Sequence, residues 1–504
     1  MSGDDPLASS QATGPDDNLD PETAPGLPAT TLAQQAVSTA EPERSDLARR
    51  LRLHTSAVPE ILRLSWPVML ATGAVTLAGV IDRAMIGRLG DAEGGAAVPL
   101  AAVGIATQFF FLVQSSLFAI GLACVALMAR AIGAREPREA QRAFGASLQV
   151  GVAISIALSV PIALVAPAAF AFLGQEQNVT EAAVPYLNYV LASSVLMAAA
   201  LVIESGLRAD KHMRFPMLVA MVVMGFKLLL NWILIFGHFG APRLELVGAG
   251  IATLISQAVG LAVLVARVVV EPNSTPLGVR ARDVFGINPR SREVVRIALP
   301  GIAERLVMNT AMLSYIWVLG HYYGTLSVAA YTVGIPLLAF TWIPGQSYAQ
   351  ACATLIGQAL GAREPDEAER IGWQSAGLAI ATAVLLGAFV GVFRFDIAGL
   401  LTDDMAVIAA LGPFMLALAI AQPLLQLQFV LGGAHRGAGD TGTPLLAACV
   451  GNWLFRVPLA FLFAIVLGYG VAWVWSALIF DHLARSLVLL YTFRRGDWKT
   501  ELDD

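Results

Sequence analysis

From about residue 60 onward, long apolar runs alternate with short polar breaks. Twelve runs stand out: roughly 60–86, 99–129, 143–167, 184–207, 215–237 and 247–270, then 296–319, 328–358, 372–393, 405–431, 444–467 and 470–493. Each is about 20 residues or longer, enough for a helix to cross a hydrocarbon core of about 30 Å. In lipid every backbone N–H and C=O must be satisfied within the segment, which selects helices. The pattern predicts an all-α membrane protein with twelve transmembrane helices.

The runs come in two sets of six. Ala131-Ile-Gly-Ala-Arg-Glu-Pro-Arg-Glu-Ala-Gln-Arg142 returns as Ala359-Leu-Gly-Ala-Arg-Glu-Pro-Asp-Glu-Ala-Glu-Arg370, 228 positions later. Arg208 and Pro216 pair with Arg436 and Pro444 at the same shift, as do Cys124 and Cys352. Arg63 and Pro67 pair with Arg296 and Pro300 at 233, and Gly250 with Gly470 at 220. Six helices per copy make both copies face the same way, a parallel repeat about an axis along the membrane normal. The expected divisions are a disordered tail at 1–55, one six-helix bundle at 56–270, a linker at 271–292, a second bundle at 293–495 and a short tail at 496–504.

Composition agrees. Hydrophobic residues make up 57% and charged residues 14% of the 504, against about 25% charged in soluble domains. The first 45 residues are rich in Asp, Pro, Ser, Thr and Ala and cannot offset their ordering entropy; they lack the basic and apolar regions of a signal peptide. Arginine and lysine collect in alternate breaks: 130–142, 208–214, 280–292, 363–370 and 494–499. The positive-inside rule makes these breaks, and both termini, cytoplasmic. The three cysteines, Cys124, Cys352 and Cys449, sit in apolar runs without metal spacing and read as small core residues.

Several motifs carry a family resemblance. They are Ile81-Asp-Arg-Ala-Met-Ile-Gly-Arg-Leu-Gly90, Leu100-Ala-Ala-Val-Gly104, Leu230-Asn-Trp-Ile-Leu-Ile-Phe-Gly237, Ala353-Thr-Leu-Ile-Gly-Gln-Ala-Leu-Gly-Ala362 and His435-Arg-Gly-Ala-Gly-Asp-Thr-Gly-Thr-Pro444. In this order, over about 56–495, the chain resembles the multidrug and toxic compound extrusion (MATE) family. The resemblance implies two bundles in a V, a central cavity, and export of organic cations or amphipathic drugs from a bacterial-type cytoplasmic membrane against H⁺ or Na⁺.

Ionisable groups inside the membrane are expensive and point to function. Asp82 lies fifteen residues past Pro67, roughly 22 Å along its helix, and its counterpart in the second copy is Tyr315. That asymmetry puts coupling in the first bundle; the resemblance likewise gives this position the cation or proton site. Asn231, fifteen residues past Pro216, belongs at similar depth. Lys227 is one turn before it, where the family has a neutral polar residue. The expectation is a Lys227–Asp82 ion pair occupying the place of a Na⁺, which makes coupling protonic. Asp82 is the metal ligand only if coupling is to Na⁺. The alternative is a lysine facing water in the cavity.

Glu304 and Arg305 lie near the inner rim, where Glu304 reads as a gate or a substrate counter-charge. The family's second cation site is in doubt, because its positions read Met308 and Leu425 here. Glu204 with Arg208, and Asp481 with Arg485, read as neutralising i,i+4 pairs, while the partner of Arg456 is not visible. Phe110, Tyr315, Trp317 and Gln426 are the cavity-lining candidates, with Gln422 on the face of Gln426 and Gln428 off it. No phosphate-binding loop or metal cluster suggests an enzyme. No cofactor is expected beyond H⁺ or Na⁺, and no nucleic-acid partner; the chain is expected to work in membrane lipid as a monomer. A flippase for lipid-linked saccharides is the alternative, and a channel or membrane-embedded enzyme a remoter one.

Overall fold

The computed structural model describes residues 56–91, 97–172, 176–270, 277, 288–399 and 405–500. The tail 1–55, most of the linker 271–292 and residues 501–504 lie outside the described residues. No strand occurs among the described residues. The first six helices are α1 (Val58–Gly87), α2 (Ala97–Gly133), α3 (Pro137–Phe172), α4 (Gln177–Ala209), α5 (Arg214–Phe236) and α6 (Glu245–Val270).

The run Ser291–Gly361 has 71 residues, about 107 Å as one helix and far beyond one bilayer. It breaks at Gly324 (φ 74°, ψ −175°), a conformation reserved for glycine, and forms α7 (291–323) and α8 (325–361). Then come α9 (Pro365–Val392), a short helix Arg394–Gly399, α10 (Met405–Ala438), α11 (Gly442–Val466) and α12 (Val471–Arg495). Among the described residues this makes twelve helices of membrane-spanning length. Several start earlier than the apolar pattern indicates: α3 and α9 begin at Pro137 and Pro365, taking in the charged turns before residues 143 and 372. Hydropathy registers only the lipid-facing stretch, whereas Glu, Gln and Arg extend a helix into water at no cost in propensity.

The repeated element meets its own copy. The two helices that end in it, α2 and α8, cross where Gly133 faces the backbone of Gln358 and Gly361 faces the backbone of Arg130. Gly133 and Gly361 are 228 apart, as are Arg130 and Gln358, so the crossing sits on the pseudo-twofold axis. A Cβ at either glycine would overlap a backbone carbonyl oxygen of the other helix. Just beyond, Arg135 (φ 61°) and Arg363 (φ 60°) turn the chain identically in both copies. Around the crossing, Gln358 Nε2 donates to the Ala209 carbonyl at 2.7 Å and Thr354 Oγ1 to the Arg208 carbonyl at 3.3 Å.

The helix starts are exchanged between halves at this arginine-rich face. Ile61, Leu64 and Val68 of α1 are buried in a cluster with α8, α9, α10 and α12. Their counterparts in α7, Val294 and Ile297, are buried among the first six helices. The Ala57 amide donates to Gln374 Oε1 at 2.7 Å, and Ser291 Oγ donates to Gln149 Oε1 at 3.0 Å. Packing at this face therefore runs across the division expected between 56–270 and 293–495. Toward the opposite face the core separates into one cluster within the first half and another, around Tyr315, Phe414 and Trp475, within the second. Cys124 and Cys352 are fully buried and Cys449 half-buried.

The turn between α10 and α11 is pinned by Asp440. Burial alone would push its carboxyl up, but His435 Nδ1 at 2.8 Å and the Thr443 amide at 2.9 Å offset this and hold it below the usual carboxylate range. A depressed carboxyl contributes stability above its unfolded pKa of about 4, and that stability is lost as pH falls through the folded value. Asp440→Asn should therefore cost about 1 kcal/mol at pH 7, and the difference from wild type should vanish in strong acid when melting is followed against pH. Gly133→Ala and Gly361→Ala should each destabilise the protein by about 1–3 kcal/mol through overpacking. Gly104→Ala, where a Cβ meets nothing within 4 Å, should not lower the melting temperature in detergent.

Candidate ion-coupling site and central cavity

Helices α1 and α5 pack side by side and bring three of the sequence-derived residues together. Asp82 Oδ2 accepts from Lys227 Nζ at 3.0 Å, and Asp82 Oδ1 accepts from Asn231 Nδ2. Lys227 and Asn231 are four apart, so one face of α5 presents both to the carboxylate. Asn231 is fully buried, and its Oδ1 has no hydrogen-bond partner among the described residues. The amide can thus serve both protonation states: its NH₂ donates to a carboxylate and, turned over, its oxygen accepts from a carboxylic acid. The ammonium of Lys227 lies against one oxygen of the Asp82 carboxylate. No group of three or more His, Cys, Asp or Glu suited to a metal occurs among the described residues.

The second half is built differently at the matching place. Tyr315 is fully buried and donates to the Val474 carbonyl at 2.8 Å. The Arg456 guanidinium lies 5.0 Å from its ring centroid, a cation–π geometry. Asp481, wholly buried, accepts from Arg485 Nε at 2.6 Å and Nη2 at 3.1 Å, with Arg456 Nη1 at 3.7 Å. This supplies the partner of Arg456 that the sequence left open. Arg456 ends a π-helical stretch, Val450–Arg456, and a Cβ at Gly451 would overlap Asp481 and Arg485. The absent side chain leaves room for the ion pair inside the bundle.

Between the halves lies a cavity of about 380 Å³, above the α2–α8 crossing. Thr72, Phe111, Phe118 and Arg208 line it from the first half, and Glu304, Arg305, Met308, Gln428, Phe429, Arg436 and Arg485 from the second. Glu304 is buried and accepts from Arg436 Nη2 with both oxygens, at 2.7 and 2.9 Å. Arg208, the counterpart of Arg436, instead pairs with Glu204 on its own helix at 2.8 Å. The position matching Glu204 is Gly432, so Arg436 takes its carboxylate from α7. That missing acid was the signal, available in the sequence, that Glu304 belongs to Arg436.

The aromatic and glutamine candidates need correction. Phe110, Tyr315, Trp317 and Gln426 do not line this cavity. Phe110 packs on the core of the first half, and Tyr315 is core in the second. Trp317 is 52% exposed and stacks on His321 and Phe461. Gln426 is buried against α8, near the Thr341 carbonyl, and Gln422 donates to Thr341 Oγ1 at 2.8 Å. These amides tie α10 to α8, while Gln428, on the other face, reaches the cavity. Asp82 lies ten residues past Thr72, about 15 Å further along α1, so the ion site and the cavity are distinct.

Comparison with known proteins follows this geometry. The MatE family model matches residues 67–233 and 300–462, once in each half. The uncharacterized transporter YisQ of Bacillus subtilis is 25% identical, covering 87% of this chain and 94% of its own length. The probable multidrug resistance protein NorM of Rhodopseudomonas palustris is 29% identical over 86% of this chain and 91% of its own. A multidrug resistance MATE family transporter of the MOP superfamily, solved in an outward-facing conformation, superposes with TM-score 0.81 at 22% identity, covering 88% of this chain and 96% of that one. A MOP superfamily transporter from Pyrococcus furiosus, described as having a binding pocket of reverse polarity that suggests a different function, also gives 0.81 at 22%, covering 89% and 98%.

Removing one member of a buried pair strands the other. Glu304→Ala should cost about 3–5 kcal/mol, and the Glu304→Ala/Arg436→Ala double variant less than the sum of the singles. A double-mutant cycle on thermal unfolding in detergent measures the coupling.

Proposed function

We propose, from the premise that this chain belongs to the MatE family, that it is a proton-coupled exporter of amphipathic small molecules working by alternating access between two six-helix halves. As a member it is an integral membrane transporter of the multidrug-efflux type and not an enzyme. The observation that carries the finer reading is the Asp82–Lys227–Asn231 cluster in the first half. With Asp82 ionised, Lys227 and Asn231 hold α1 against α5. When Asp82 takes a proton, the ammonium loses its counter-charge, and a charge left unpaired in this setting costs several kcal/mol. The α1–α5 contact then favours a second arrangement, in which Asn231 accepts from the acid. Proton uptake is coupled to shape through this exchange of partners.

The lysine is also the support for H⁺ over Na⁺, because a Na⁺ at Asp82 would have to displace a like charge. We place the arginine-rich face in the cytoplasm by the positive-inside rule, so the joined face is the inner one and the cavity loads from inside once the α2–α8 crossing parts. Phe111, Phe118, Met308 and Phe429 supply walls that suit an amphiphile of many shapes, since thioether and aromatic surfaces repack at little cost. Fold alone does not set the substrate's charge: the Pyrococcus furiosus neighbour shares it and is described as reversed in pocket polarity.

Efflux of an anionic and of a cationic fluorescent amphiphile, each from proteoliposomes under separate H⁺ and Na⁺ gradients, tests this reading without fixing the substrate's charge. A proton gradient should drive wild-type efflux, and Asp82→Asn should lower it by at least about ten-fold. Lys227→Asn should open the carboxylate to Na⁺ and bring Na⁺ dependence. Wild-type transport driven by Na⁺ and indifferent to the proton gradient would overturn proton coupling.

A further inference from the structure

The central cavity holds more positive charge than its own carboxylates neutralise. Arg208 has Glu204, and Arg436 has Glu304. Arg485 and Arg456 share the single Asp481. Arg305, on α7, has no hydrogen-bond or ion-pair partner among the described residues, yet its side chain forms part of the cavity wall. Around the cavity and the adjoining Asp481 cluster, five arginines thus stand against three carboxylates. The lining itself is more lopsided: four arginines and one glutamate, and that glutamate is engaged through both oxygens by Arg436.

Guanidinium does not deprotonate in proteins, so neutralising this excess by proton loss is closed. A net positive charge in a recess of limited polarity calls for an anion. An organic cation entering here would meet four guanidiniums and no unengaged lining carboxylate. An organic anion would meet the unpartnered fork of Arg305, whose planar donors match a carboxylate or phosphate. Apolar surface from Phe111, Phe118, Met308 and Phe429 lies in the same space.

We infer that the cavity takes amphipathic organic anions, small molecules with one acid group on an aromatic or aliphatic body, and that Arg305 is the residue that binds the acid. The inference rests on the exporter reading above and narrows it to a substrate class. The volume of about 380 Å³ falls in the range of about 300–1,000 Å³ of drug-sized sites, which favours a small molecule over a lipid with two chains.

A matched dye pair provides the test. Fluorescein and rhodamine 123 share a xanthene core, the first anionic and the second cationic. Anisotropy titration of the protein in phosphatidylcholine nanodiscs, with no gradient, should give at least about ten-fold tighter binding of fluorescein. Arg305→Gln should bring the ratio of the two affinities toward one, and Arg305→Lys should restore part of it; general loss of structure would lower both affinities and leave their ratio in place. Tighter binding of rhodamine 123, or an unchanged affinity ratio in an Arg305→Gln protein that keeps the wild-type melting temperature, would overturn the inference. Displacement of fluorescein by phosphatidylglycerol at lower concentration than by unlabelled fluorescein would overturn it in favour of a lipid. Absence of gradient-driven movement of either dye in proteoliposomes sinks the exporter reading alone, since the titration needs no gradient.

Discussion

Two helices approach to backbone contact only where neither carries a side chain at the crossing, and α2 and α8 meet that condition through Gly133 and Gly361. Much else follows from this approach. It brings the two copies of the repeated motif onto one axis and lets Gln358 and Thr354 reach the last carbonyls of α4. It puts a floor under the cavity. The arginines that follow the glycines stay in water, while the arginines one helix away, Arg208 and Arg436, are left facing the space above.

Above that floor the halves part company in their electrostatics. The first half keeps one carboxylate on one lysine, with an amide able to serve either protonation state. The second half locks its carboxylate between two arginines, with Tyr315 beneath one of them. Asp481 is clasped by two guanidiniums, whereas Asp82 faces one ammonium and one amide. Two copies of one bundle thus differ at a few depths: one carries a carboxylate between a lysine and an amide, the other a carboxylate between two arginines.

Helix number, the parallel repeat and the Asp82–Lys227–Asn231 cluster were legible in the sequence because each depends on a period: apolar runs, the shift of 228, or spacing from a proline. Packing between halves was not. Nothing in hydropathy shows that Ile61 is buried in the second half or Val294 in the first, since both simply read as membrane-facing. The cavity candidates failed for a related reason. Phe110, Tyr315, Trp317 and Gln426 were chosen by residue type, but which face of a helix meets the gap depends on helix rotation, which residue type does not fix. Gln428 and Gln426 are two residues apart and face opposite ways.

The exchanged helix starts bear on how the protein is made. Ile61, Leu64 and Val68 leave the ribosome first and find their burial among the last helices to emerge, and Val294 and Ile297 close a core whose other members have long been synthesised. Neither half completes its apolar core from its own residues. Without the seventh helix, the first six therefore leave a seam in this part of their core. A duplicated sequence has in this way become a structure in which each half's core borrows side chains from the other.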